Sequence, residues 1–137
     1  MKISPDGKFI AVACDKSLRI YEMPRLMREF EPFVMYKNYT LWHYDTITSL
    51  CWSKDSRFIL TGSKDTSVRL CNLHRLRNFI PFLFSGHRKK IVNAMFSEDN
   101  MRIFSLSKVI NIIYQYLIII FYLGWSIIYM AICARKK

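Results

Sequence analysis

Apolar residues come in short bursts from the start of the chain through residue 108. Positions 47–84 hold ITSLCW, FILTG, SVRLCNL and FIPFLF, each too short for a stable helix and rich in β-branched and aromatic residues. The pattern predicts strands over 47–52, 58–62, 67–73 and 79–84. The polar stretch SKDSR at 53–57 and the pair Lys64-Asp65 supply the turn chemistry expected between them. At position 109 the bursts cease. From there to 134 the sequence has no charged residue over 26 positions and no proline, a run that predicts one long apolar helix.

The polar and apolar positions also repeat. HYDTITSLCWS at 43–53 aligns without a gap with HRKKIVNAMFS at 87–97, an offset of 44. Asp55, Ile59, Ser63 and Lys64 recur as Asp99, Ile103, Ser107 and Lys108. A further copy opens the chain, where SPDGKFIA at 4–11 matches SKDSRFIL at 53–60 and DKSLRI at 15–20 matches DTSVRL at 65–70; its opening strand is missing. Four short strands per unit, Gly86-His87 near a unit's start and a period of about 40–45 residues describe a WD-repeat propeller blade. The expected fold class is all-β: a partial propeller over 1–108, with 1–36 the end of one blade, 37–84 a complete blade and 85–108 the start of the next, followed by the apolar helix. Closure takes at least about four blades, so about two blades' worth of sequence is expected to be a fragment that does not fold stably alone.

The apolar segment admits two explanations. A helix of 26 residues would be about 39 Å long, enough to cross a hydrocarbon core of about 30 Å, with Lys108 on one side and Arg135, Lys136 and Lys137 on the other. The repeat suggests otherwise. At the offset of 44 the turn aspartate Asp65 falls on Val109, and every later match disappears. Residues 109–137 then read as intron read-through in an AT-rich gene, apolar by codon bias. Either way the segment is expected to stand as an isolated helix; strands completing the third unit would count against both explanations.

Charge and cysteine usage narrow the chemistry. The 21 Lys and Arg residues outnumber the 10 Asp and Glu, a net charge of +11, and all but three of the basic residues precede the apolar run. Arg25, Arg28, Arg75, Arg77, Arg88, Lys89 and Lys90 fall in expected loops, where they form candidate contacts for phosphate or for protein partners. The aromatic cluster Tyr36, Tyr39, Trp42 and Tyr44 is expected to pack between blades rather than to stack on bases. Cys14, Cys51, Cys71 and Cys133 lie far apart, without zinc-ligand spacing, so no metal site and no cofactor is expected.

The segments REFEPF at 28–33, DTITSLCWSKDSRFILTGSKD at 45–65, GHR at 86–88 and FS at 96–97 resemble the periodic tryptophan protein 2 family. This resemblance takes in the linker between blades, which generic WD repeats do not share. It implies a non-enzymatic scaffold of the small-subunit processome, nucleolar, acting in pre-ribosomal RNA processing. Its implied partners are other processome proteins, with precursor ribosomal RNA and small nucleolar RNA reached indirectly or electrostatically. The alternative is a membrane-anchored WD-repeat adaptor. WD repeats carry a buried tetrad of His, strand-two hydroxyl, turn Asp and Trp; here the resemblance assigns it to His43, Thr61 (or Ser63 on the same face) and Asp65, with Cys71 in place of the Trp. The Trp-Asp pair itself reads Tyr21-Glu22 and Cys71-Asn72, and Trp42 occupies the position of the glycine expected before His43. A Ser-His-Asp hydrolase needs similar residue types, but no nucleophile elbow accompanies them here.

Overall fold

The structure is a computed structural model that describes residues 1–24, 32–40, 42–73, 81–108, 116–122 and 128–133, the last two stretches as backbone. Twelve strands form three four-stranded antiparallel sheets in chain order. The first contains β1 (Lys2–Ile3), β2 (Phe9–Cys14), β3 (Ser17–Glu22) and β4 (Val34–Tyr39). The second contains β5 (Ile47–Trp52), β6 (Phe58–Ser63), β7 (Val68–Asn72) and β8 (Phe82–Phe84). The third contains β9 (Ile91–Phe96), β10 (Arg102–Lys108), β11 (Tyr116–Tyr122) and β12 (Ile128–Cys133). The four strands expected over 47–84 are all present. The first sheet closes at Tyr39 rather than at 36, because β4 pairs with β3 from Glu22↔Val34 to Leu18↔Tyr39.

The middle sheet is buried on both faces. Ile59 and Cys71 pack toward the first sheet with Ala11, Leu18, Ile20 and Trp42, while the alternate residues Leu60, Val68 and Leu70 pack toward the third with Ile91, Ala94 and Ile103. This two-sided burial explains why β6 reads as a continuous apolar run where a half-exposed strand would alternate.

One turn is built three times. Ser4, Ser53 and Ser97 each donate a hydroxyl hydrogen bond to the Asp two residues on (Asp6, Asp55, Asp99) and accept one from the amide five residues on. The residue after each Asp has positive φ: Gly7 at 70°, Ser56 at 59° and Asn100 at 57°. In the last two, the left-handed residue also clasps the preceding sheet, since Asp6 N donates to Ser56 Oγ at 3.0 Å and Lys54 N donates to Asn100 Oδ1 at 3.1 Å. The offset of 44 carries a bulge as well: Thr48 in β5 and Val92 in β9 are each the extra residue against the neighbouring strand.

The apolar helix expected over 109–134 is not formed. Instead β11 pairs with β10 from Lys108↔Tyr116 to Arg102↔Tyr122, and β12 pairs with β11 from Tyr116↔Cys133 to Phe121↔Ile128. Hydropathy reports apolarity, not conformation. The sequence YLIIIFY has strong β propensity, β10 would otherwise present an unpaired edge, and Gly124 interrupts the run between the two strands. The pairing counts against both explanations of an isolated helix, anchor or read-through. Among the described residues no helix is long and apolar enough to cross a membrane.

Candidate functional site

Residues from three places in the chain converge inside the second sheet. His43 enters from the link before β5, Thr61 from β6 and Asp65 from the turn between β6 and β7. His43 Nδ1 lies 3.0 Å from Asp65 Oδ2 and Nε2 lies 2.8 Å from Thr61 Oγ1. Because the carboxylate can only accept, Nδ1 carries the proton and donates to Asp65, while the Thr61 hydroxyl donates to Nε2. Ser63, the other candidate hydroxyl, is used elsewhere: it donates to Asp45 O and accepts from Asp65 N.

The indole donor missing at Cys71 comes from Trp42. Its Nε1 donates to Thr61 Oγ1 at 2.9 Å, and the ring shares one buried cluster with the small Cys71 side chain and stacks obliquely on Tyr39 at 4.6 Å. The sequence placed Trp42 at the position of the glycine before His43 and among the aromatics packing between blades, but not in the tetrad. Trp42→Phe removes the donor and leaves a smaller ring in the buried cluster, so it should cost at least about 1 kcal/mol of unfolding free energy, measured by urea denaturation. No change in midpoint would remove the indole from the network.

The network is structural chemistry. His43 is 1% exposed and Thr61 fully buried, so both side chains face protein rather than solvent. Burial, only partly opposed by Asp65, pushes the His43 imidazole below its ordinary range. The pair is at ion-pair distance, but the ring is neutral near pH 7, so the contact is a hydrogen bond to a carboxylate. Burial favours the neutral acid at Asp65, yet the Ser67 hydroxyl and the Ser67 and Tyr44 amides outweigh it and hold the carboxyl down to about 2.

The third sheet has only part of this arrangement. His87 Nε2 lies 2.7 Å from Ser105 Oγ, the counterpart of Thr61, but its buried Nδ1 has no hydrogen-bond partner among the described residues. The counterpart of Asp65 is Val109, which lies outside them. Burial pushes His87 from 6.5 down to about 4.

These shifts set a pH dependence. The unfolded chain binds protons on both imidazoles below about pH 6.5, and the fold refuses them, so stability is lost as pH falls from about 6.5 toward 4. Asp65 adds a second loss between its ordinary 3.8 and about 2. The urea midpoint should therefore drop between about pH 7.5 and pH 5, and His87→Gln should flatten part of that slope. A midpoint constant over the same range would contradict buried, neutral histidines.

Antiparallel order sorts the loops onto two rims. One holds the turns after β2 and β6, the end of β10 and the links before β5 and β9, and it is tied together by His43 N donating to Lys16 O, Thr46 Oγ1 to Asp15 Oδ1 and Lys108 N to Lys90 O. Of the basic candidates, Arg88, Lys89 and Lys90 are exposed on this rim. Lys108 lies next to Lys90 through their backbone bond, and Lys16 and Lys64 fall on the same rim, although the sequence named none of the three as a phosphate contact. Arg25, Arg28, Arg75 and Arg77 lie outside the described residues. Among the clustered aromatics, Trp42 is buried between blades as expected; Tyr36 instead packs on Phe9 of its own sheet at 4.9 Å and stays 38% exposed, and Tyr44 is 84% exposed with the Arg69 guanidinium 5.5 Å from its ring centroid.

Repeated four-stranded sheets with a His, hydroxyl, Asp and indole network define a WD-repeat protein, and the WD domain, G-beta repeat family matches residues 1–22 and 36–72. The solved β-propeller domain of Myceliophteria thermophila Cps50 (Swd1) has the same fold, with a TM-score of 0.69 and 16% identity, covering 96% of this chain and 37% of that one. Within this class the chain resembles the periodic tryptophan protein 2 family. It is 39% identical over 110 residues to the periodic tryptophan protein 2 homolog of Schizosaccharomyces pombe, and 40% identical over 111 residues to periodic tryptophan protein 2 of Saccharomyces cerevisiae. Each match covers 79% of this chain, which spans 13% and 12% of those relatives' lengths.

Proposed function

We propose that this chain is propeller sequence of a ribosome-biogenesis scaffold, nucleolar, acting in the small-subunit processome through protein partners and precursor ribosomal RNA. The observation that carries the reading is the 39% identity over 110 residues, a stretch longer than any single repeat. Within it, the complete blade read from 37–84 has its four strands after Tyr39, where the preceding sheet ends, and 85–108 opens the neighbour that follows. The buried tetrad gives the blade its rigidity, and the exposed loops offer docking positions. No turnover is assigned to any residue. Tagged protein fractionated on a density gradient should sediment with small-subunit precursors and recover precursor ribosomal RNA and small nucleolar RNA. Sedimentation apart from every pre-ribosomal particle would overturn the reading and leave a WD-repeat adaptor outside ribosome assembly.

A further inference from the structure

Charge is divided unequally between the two rims. On the rim opposite the tetrad turns, acids accompany the bases: Lys54 pairs with Glu98 at 3.3 Å, Arg102 reaches Asp99 at 4.0 Å, and Lys8 and Arg57 follow Asp6 and Asp55 within the repeated turns. On the tetrad rim the described carboxylates are Asp15, Asp45 and Asp65, and each already accepts from the protein's own hydroxyl or amide groups. The basic side chains there make no ion pair among the described residues. The rim also carries one large exposed aromatic ring, Tyr44, with a guanidinium beside it.

We propose that the tetrad rim is a docking surface for single-stranded RNA, with Lys64, Arg88, Lys89 and Lys90 facing phosphates and Tyr44, flanked by Arg69, offering a face for one base. An acidic protein would use the same charges but has no need of a solvent-facing ring beside a cation. A single strand uses both, because phosphates follow the cations and an unpaired base stacks on the aromatic face. Arg88, Lys89 and Lys90 were legible in the sequence as candidates, but their company with Lys64 and Tyr44 was not, since these residues sit in separate loops around positions 44, 64 and 88–90. The inference rests on the ribosome-biogenesis reading only for naming RNA as the polyanion.

Binding of the purified full-length protein that carries this stretch in its closed propeller to a fluorescent mixed-sequence RNA of about 20 nucleotides tests it. Lys64→Glu with Lys89→Glu should weaken binding at least tenfold and flatten its salt dependence, since fewer counterions are released. Lys8→Glu with Arg57→Glu on the other rim should change it less than about twofold. Tyr44→Ala should weaken RNA binding about tenfold and leave binding of a polyglutamate peptide unchanged. Should charge reversal disturb the fold by circular dichroism, Lys64→Gln with Lys89→Gln must weaken binding in the same direction. Equal losses from both rims, or a Tyr44→Ala variant that binds RNA normally while polyglutamate displaces the RNA, would overturn the proposal, the second outcome in favour of an acidic protein partner. Absence of RNA binding by the unaltered protein overturns the rim even where precursor co-sedimentation holds. Binding without co-sedimentation leaves the rim standing and removes the biogenesis reading.

Discussion

Asp65→Ala should lower the unfolding free energy by about 3 kcal/mol, the largest loss expected from any polar substitution in the described residues. The carboxylate accepts from four donors: His43 Nδ1 at 3.0 Å, Tyr44 N at 2.9 Å, Ser67 N at 2.9 Å and Ser67 Oγ at 2.5 Å. Alanine leaves these groups without their acceptor, and the His43 ring, being buried, cannot turn to water. Asp65→Asn separates the two contributions. It keeps an acceptor oxygen but loses the charge, so it should cost less than alanine and weaken the acid dependence below about pH 4. Urea denaturation followed by tryptophan fluorescence reads both. An alanine variant within about 0.5 kcal/mol of the unaltered protein would mean that the tetrad does not hold the second sheet.

Gly62→Val should destabilise by about 3 kcal/mol, through a mechanism with no polar component. A Cβ at position 62 would meet Ile91 Cγ2 at 2.6 Å, Ser49 Oγ at 2.6 Å and the Ile91 Cβ at 3.3 Å. Ser49 can rotate away. Ile91 is fully buried between the second and third sheets and β-branched, so its retreat requires the two sheets to part. The same approach lets Thr48 Oγ1 donate to both Gly62 O at 3.1 Å and Ile91 O at 2.8 Å, and pushing the sheets apart breaks the second bond. Gly62→Ala should show the same direction at smaller size. If hydrogen exchange in β9 and β10 is unchanged in the valine variant, the close sheet approach at Gly62 is not what joins these blades.

The local devices of this fold were legible from residue types at fixed spacing. Ser and Asp two positions apart, followed by Gly7, Ser56 or Asn100, carry their turn within a few residues, and its hydrogen bonds close whatever the rest of the chain does. The apolar bursts over 47–84 likewise became strands, while His43, Asp65 and the choice of Thr61 or Ser63 came from the resemblance to WD repeats. The apolar run after 108 was misread because continuous apolarity distinguishes neither helix from strand nor bilayer from sheet; the free edge of β10 decided that β11 would form. Trp42 was likewise outside the reach of local rules. Its role depends on the space left by Cys71 and on the distance to Thr61, nineteen positions away. The unequal rims came from antiparallel order, which brings alternate loops, those carrying Lys16, Lys64 and Lys90 among them, to one side. Sequence by itself determined the turns and the strand period, products of short-range chemistry, and by its resemblance to WD repeats pointed to His43, Asp65 and either Thr61 or Ser63; tertiary structure alone decided between those hydroxyls and supplied the indole, the fate of the apolar segment and the company of the basic rim, because each depends on which distant residues the packing of sheets makes neighbours.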